Sequence, residues 1–90
     1  MGRIQCFEIA GCVCWFYSRD HRPPHFHVKR SGEWEIRVFF HEEPPYYDEV
    51  WAVGRIPGRV LREVLAHASS FREQLYIEWS EKVAPNDDED

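Results

Sequence analysis

Residues 25–40, with the sequence HFHVKRSGEWEIRVFF, predict the β-hairpin that decides the fold. Apolar residues alternate with polar ones in 25–30 and again in 33–41, which is typical of strands with one buried face. The side chains predicted to face the core are Phe26, Val28, Trp34, Ile36, Val38 and Phe40. Because consecutive side chains of a strand point to opposite faces, the other residues of both strands lie on the other side of the sheet.

The loop of this hairpin fixes which residues pair. A two-residue turn would place Val28 opposite the charged Glu35, whereas both apolar faces must lie against the same core. A three-residue loop, Ser31–Glu33, places Val28 opposite Ile36 and satisfies that condition. Gly32 supplies the left-handed residue that such a loop needs.

The segments around the hairpin predict further strands and one helix. Residues 4–9 and 12–18 are short apolar runs, and 47–53 predicts either a short strand or an extended arm. Over residues 57–82, apolar positions recur at steps of three and four, which predicts one long amphipathic helix. The expected fold is α+β, with a small curled antiparallel sheet of three to five strands packed against one long C-terminal helix.

Size and composition limit the class of protein. Ninety residues make one domain, predicted at residues 1–84, before a disordered acidic tail at 85–90. The net charge is −5, and the four acidic residues 87–90 carry −4, which leaves −1 for the rest. A domain with so little net charge does not favour non-specific binding to the phosphates of nucleic acid. Three cysteines, an odd number, and the lack of a long apolar run favour a cytoplasmic protein without a membrane span.

Side chains suited to catalysis or metal binding are concentrated in DHRPPHFHV, residues 20–28. The candidate catalytic residues are Asp20, His21, His25 and His27. Because His25 and His27 lie two apart, a strand points both rings to one side, where they and Asp20 could bind zinc, manganese or iron. A histidine general base oriented by Asp20 is a second possibility. A structural role is the third, with Asp20 bonding the turn backbone and the prolines setting the strand entrance.

Four more residues are candidate binding residues: Tyr17, Lys29, Arg37 and Phe39. The predicted register places His27 opposite Arg37, whose guanidinium suits a phosphate or a carboxylate. This sheet face has no second helix to cover it, so we expect it to be an uncovered surface. Several rings are candidates for a protein interface, for which aromatic residues are favoured. These rings are Trp15, Tyr17, Tyr46, Tyr47 and Trp51.

The stretch WFYSRDHRPPHFHV, residues 15–28, resembles the signature of the bacterial family catalogued as domain of unknown function 4160. The family shares an FYS-x-DH-x-PPH-x-HV core, followed by a Gly-Glu turn, here Gly32-Glu33, a strand and a C-terminal helix. The resemblance implies no reaction. It implies a genomic context, because such proteins are frequently encoded beside another small protein, an organisation that resembles toxin–antitoxin pairs.

Three functional hypotheses follow. In the first, the protein is one component of a two-gene, toxin–antitoxin-like module and binds the adjacent gene's product, or a second copy of itself, through the uncovered face and residues 42–56. In the second, it is a small hydrolase or nuclease that uses the Asp/His residues, with or without a metal ion. The third and least favoured is a nucleic-acid-binding regulator, since the sequence has no helix-turn-helix pattern and no basic stripe on the predicted helix.

Overall fold

A computed structural model describes residues 2–83; the predicted acidic tail lies outside this range. The described chain forms five strands and two helices: β1 (Gly2–Arg3), β2 (Val13–Phe16), β3 (His25–Arg30), β4 (Trp34–Phe39), β5 (Tyr46–Ala52), α1 (Gly58–Ser70) and α2 (Arg72–Lys82). All five strands form one antiparallel sheet in chain order. The α+β class is therefore confirmed, and the segment predicted at 47–53 is a strand.

The central hairpin has the predicted register. Val28 lies opposite Ile36, and the pairing continues to His25 opposite Phe39. The Glu33 N–H donates to the carbonyl of Arg30 at 2.9 Å and closes the three-residue loop. Gly32 adopts a left-handed φ of 78°, as predicted from the need for one such residue there.

The core lies on the predicted face of the sheet. Each apolar side chain predicted to face inwards from β3 and β4 is at most 2% exposed. These side chains form one cluster with the inner side chains of both helices, which include Val64, Ala68 and Leu75. The helices therefore cover one face of the sheet, and the side chains of His25 and His27 belong to the other face.

The prediction of one long helix is wrong, because the helical segment is broken at Phe71. This residue has φ −107° and ψ 25°, outside helical geometry, and separates α1 from α2. The hydrogen-bond pattern nevertheless passes through the break, since Phe71 N–H donates to His67 and Leu75 N–H donates to the Phe71 carbonyl. The segment is thus a kinked pair of helices.

Contacts with distant residues accompany the kink. The Phe71 ring packs against the Phe7 ring, with centroids 5.5 Å apart. Directly after it, the Arg72 guanidinium donates to the carbonyls of Phe40 and His41, both at 2.7 Å. These contacts attach the start of α2 to the end of β4, and apolar spacing along the helix does not reveal them.

The predicted strand at residues 4–9 is also wrong. The strand that pairs with β2 is Gly2–Arg3; the Ile4 N–H still donates to the Cys14 carbonyl at 2.9 Å, and the residues after it form an irregular segment. The carboxylate of Glu78 on α2 accepts the N–H groups of Gln5 at 2.9 Å and Cys6 at 2.8 Å. Because a helix side chain binds these backbone donors, they are not available to a neighbouring strand.

Neither helix of the described residues combines the length and the apolar character that a membrane crossing requires.

Candidate functional site

A tight turn after β2 brings Asp20 to the start of β3. Asp20 N–H donates to the Tyr17 carbonyl at 3.2 Å, and Tyr17 N–H donates to Asp20 Oδ2 at 3.0 Å. β3 then begins at His25, directly after the two prolines. One nitrogen from each of His25 and His27 and one oxygen of Asp20 lie within 4.8 Å of one another. The structure therefore brings together three of the four predicted residues.

The three side chains converge on one oxygen atom. Asp20 Oδ1 lies 3.3 Å from His27 Nε2 and 3.5 Å from His25 Nε2. The other ring nitrogen of His25, Nδ1, donates to the Pro23 carbonyl at 2.9 Å. The other ring nitrogen of His27 lies 3.5 Å from Glu35 Oε2. The His27 ring thus lies between two carboxylates.

The two histidines are buried, so the expectation of an uncovered surface is wrong at these positions. Each is only 6% exposed. The Trp79 ring of α2 reaches His25 from the helical side, with centroids 6.0 Å apart. The Trp15 ring stacks on His27 with centroids 5.3 Å apart, and the Tyr17 ring meets it edge-on at 4.5 Å. Phe39 packs on His25 at 5.1 Å. Aromatic neighbours from the same face therefore exclude water from the imidazoles.

The Asp20 carboxyl stays ionised in this environment. Burial alone would raise its pKa, but hydrogen bonds and charge from His25 and His27 outweigh burial and hold the pKa of Asp20 well below its usual range. A carboxylate that stays negative beside two imidazoles can bind a cation or orient a histidine ring.

Other predicted site residues are arranged differently. His21 is exposed and lies outside the cluster. Arg37 forms a bidentate pair with Asp48, with N–O distances of 2.7 and 3.0 Å, so its guanidinium is not free for a phosphate. The Lys29 amine lies 5.4 Å from the centre of the Trp15 ring.

Sequence reasoning missed Glu35 as a member of the site. Its carboxylate approaches His27 and also accepts the Trp51 indole N–H at 3.3 Å. The predicted hairpin register contained the relevant indication, because it placed Glu35 opposite Lys29 and hence on the face that carries His27.

An open pocket of about 580 Å³ lies beside His27. It is lined by Tyr17, His27, Glu35, Arg37, Glu49 and Val50. The pocket gives solvent-sized molecules access to one side of the site, and its lining carries more negative than positive side chains.

Exposed apolar side chains concentrate on and directly after β5, which is an edge strand of the described sheet. They are 37–81% exposed: Tyr46, Tyr47, Val50, Trp51 and Val53. Of the rings predicted as interface candidates, those on β5 and that of Tyr17 are thus exposed, and Trp15 is buried at 2%.

Comparison with known protein families gives one match. The model of the family described as domain of unknown function (DUF4160) matches residues 11–80, which is more than half of the chain. The chain belongs to the DUF4160 family. The matched range contains β2 to β5, α1, most of α2, and all three residues that converge at the site. Searches of curated proteins and of solved structures found no match.

Proposed function

We propose that this DUF4160 protein is an interaction module that binds a small partner protein along β5, as one component of a two-gene, toxin–antitoxin-like pair. The observation that carries the proposal is the group of exposed apolar side chains on an edge strand. An edge strand offers unpaired backbone donors and acceptors to a strand of another chain. Apolar side chains on the same strand supply the contact area that such pairing needs.

Charge favours a basic partner segment over a second copy of this chain. Glu42, Glu43 and Glu49 are exposed in or next to β5. If two β5 strands paired antiparallel about their centre, Glu49 would lie opposite its own copy, and like charges directly opposite each other are destabilising. A partner strand that carries lysine or arginine would instead complement this edge. The predicted homodimer is therefore the less favoured arrangement.

Co-expression with the adjacent gene's product tests the proposal. We expect the two proteins to co-elute, and we expect Val50→Lys to weaken the complex by about 30-fold, the effect of a central interface residue worth about 2 kcal/mol. Ile77→Lys is the matched control, because Ile77 is an exposed aliphatic residue on α2, away from β5. A stable complex that Val50→Lys leaves unchanged would contradict the proposal, and so would a chain that stays monomeric beside its neighbour's product. If the protein instead self-associates and Val50→Lys dissociates that oligomer, the occupant of β5 would be a second copy of this chain rather than a different protein.

We place this partnership in the cytoplasm. Support comes from the cysteines, because none of Cys6, Cys12 and Cys14 forms a disulfide bond. Free thiols are typical of proteins in a reducing compartment.

A second candidate is a small hydrolase or nuclease in which His27 acts as a general base. The position of His27 between the carboxylates of Asp20 and Glu35, beside an open pocket, favours this candidate. Hydrolysis of RNA, DNA and simple esters by the purified protein, compared with His27→Gln, is the direct assay. Wild-type rates no higher than those of the variant would remove the candidate. The nucleic-acid-binding hypothesis has no specific support among residues 2–83 and stays a prediction.

A further inference from the structure

Ring nitrogens of His25 and His27 face one carboxylate oxygen of Asp20 in the buried cluster. The carbonyl oxygen of Pro23 can only accept, so the His25 Nδ1 that lies 2.9 Å from it must carry a proton. The other ring nitrogen of His25, Nε2, faces the Asp20 carboxylate at 3.5 Å. A positive charge stabilises this arrangement, either as a metal ion between the two groups or as a second proton on the ring.

We infer that Asp20, His25 and His27 bind one divalent first-row transition-metal ion, through Oδ1 of the carboxylate and Nε2 of each imidazole. This inference goes beyond the interaction proposed above, because it concerns the interior of the sheet face rather than its edge.

The distances between these atoms also fit the ligands of a metal ion, although the 3.3 Å contact of His27 is within hydrogen-bond range as well. Charge-assisted N–H···O bonds measure about 2.7–2.9 Å. The observed separations from Asp20 Oδ1 are longer, at 3.3 Å to His27 and 3.5 Å to His25. With metal–ligand bonds of about 2.0–2.2 Å, neighbouring ligand atoms of a tetrahedral site lie about 3.4 Å apart. The two separations therefore match two edges of a coordination polyhedron, and the ligand atoms of all three residues lie within 4.8 Å of one another.

Two of the three ligands have an outer hydrogen-bond partner, and the third has a carboxylate nearby. The Tyr17 N–H binds Asp20 Oδ2 at 3.0 Å and leaves Oδ1 free. The Pro23 carbonyl fixes the His25 tautomer. His27 Nδ1 is a buried nitrogen without a hydrogen bond among the described residues. The Glu35 carboxylate lies 3.5 Å from it and would accept a hydrogen bond from Nδ1–H after a small approach. Partners of this kind orient metal-binding histidines and make them more basic.

The charge around the cluster also favours a cation. Asp20 and Glu35 both face the histidines. The guanidinium of Arg37, which lies opposite His27 in the sheet, is neutralised by its bidentate pair with Asp48. The Lys29 amine lies over the Trp15 ring instead of between the two carboxylates. A divalent ion would therefore offset the negative charge of the site.

The donor set selects the class of metal. Two imidazoles and one carboxylate suit zinc, iron(II), manganese(II) or cobalt(II), whereas calcium and magnesium prefer oxygen ligands alone. Three protein ligands also leave coordination positions open for water or a small ligand.

Titration of the metal-free wild-type protein with Co²⁺ is the primary test. We expect visible d–d absorption that saturates at one equivalent of Co²⁺ and disappears on addition of Zn²⁺. Mg²⁺ should leave the spectrum unchanged. The absence of a saturable signal from the folded wild-type protein at neutral pH would overturn the inference and would leave protonated imidazoles as the cations of the cluster.

Variants locate the ion. Asp20→Asn and the double variant His25→Gln/His27→Gln should abolish the signal. Glu35→Gln should weaken Co²⁺ binding by about 10–100-fold without abolishing it, as expected of an outer hydrogen-bond partner. His21→Gln, which changes an exposed histidine in the same loop, should bind like the wild type. Circular dichroism checks that each variant is folded. Wild-type affinity in the folded double variant, or loss of binding in His21→Gln, would place the ion elsewhere and refute the assignment.

Discussion

Replacement of Glu78 tests whether one helix side chain holds the N-terminal segment in place. Its carboxylate accepts the backbone N–H groups of Gln5 and Cys6 and lies 2.9 Å from the Lys82 amine. Hydrogen bonds to charged groups contribute about 1.5–3 kcal/mol each. Because Gln5 is exposed, water can replace part of what is lost. We therefore expect Glu78→Ala to lower the free energy of unfolding by about 3 kcal/mol.

Thermal and urea unfolding followed by circular dichroism measure this loss. For a chain of this size, about 3 kcal/mol corresponds to a fall in Tm of about 12–24 °C. Glu78→Gln keeps one acceptor oxygen and should lose about half as much. Glu81→Ala, an exposed change on the same helix, should stay within about 0.5 kcal/mol of the wild type. A loss below about 1 kcal/mol for Glu78→Ala would refute the reasoning.

The pH dependence gives a second check on Glu78. Burial raises its pKa, but the Gln5 N–H, the Lys82 amine and the Cys6 side chain outweigh burial, and the pKa of Glu78 lies below its usual range. A group whose pKa is lower in the folded state stabilises the fold above its unfolded pKa, about 4.3 for glutamate. That stabilisation is lost as pH falls through the folded pKa. The difference in stability between the wild type and Glu78→Gln should therefore shrink as pH is lowered from about 6 towards 3.

Three further predictions concern single residues. Gly32→Ala should lower the free energy of unfolding by about 1–2 kcal/mol, measured in urea, because the residue has a φ of 78° and no neighbour would contact the new methyl group. Arg72→Ala should lower the free energy of unfolding by about 2 kcal/mol, and Arg72→Lys should restore little of it, since one amine does not reproduce the two bonds to the carbonyls of Phe40 and His41, directly after β4. Burial raises the pKa of Cys6 and of Cys14 to about 12, so iodoacetamide at about pH 8 should alkylate both far more slowly in the native protein than in urea, as read by mass spectrometry.

Each of the three has a distinct contrary result. Unchanged stability in Gly32→Ala would mean that the loop tolerates a different backbone conformation. Full rescue by Arg72→Lys would assign the effect to charge alone. Equal alkylation rates in native protein and in urea would show that the thiols are accessible as thiolates in the folded state.

The residue pairing of the hairpin was predictable because residues within the hairpin itself determine it. Two alternating apolar faces and a single glycine at position 32 leave one loop length that keeps both faces against the core. The helical segment was predictable in its extent and in its buried face. The break at Phe71 was not, since apolar spacing continues through it and the contacts of Arg72 with the end of β4 join residues about thirty positions apart.

The candidate site, like the fold, was predictable only in part. The two-residue spacing of His25 and His27 predicted that their rings share one side of a strand, and the structure confirms this together with the approach of Asp20. Their burial depends on rings from β2 and β4, so no local pattern reports it. The pairing of Arg37 with Asp48 was not predicted, because Asp48 lies on β5, a segment for which the sequence left two conformations open.

The order of the strands has a consequence for synthesis on the ribosome. Every strand pairs with its neighbour in the chain, so the sheet can assemble hairpin by hairpin as the polypeptide emerges. Much of the cover on the apolar side of that sheet comes from the two helices, which are made after all five strands. A nascent chain that stops before residue 58 would therefore expose Val28, Ile36 and Val38 to solvent and to other nascent chains, which makes it a substrate for chaperones and prone to aggregate.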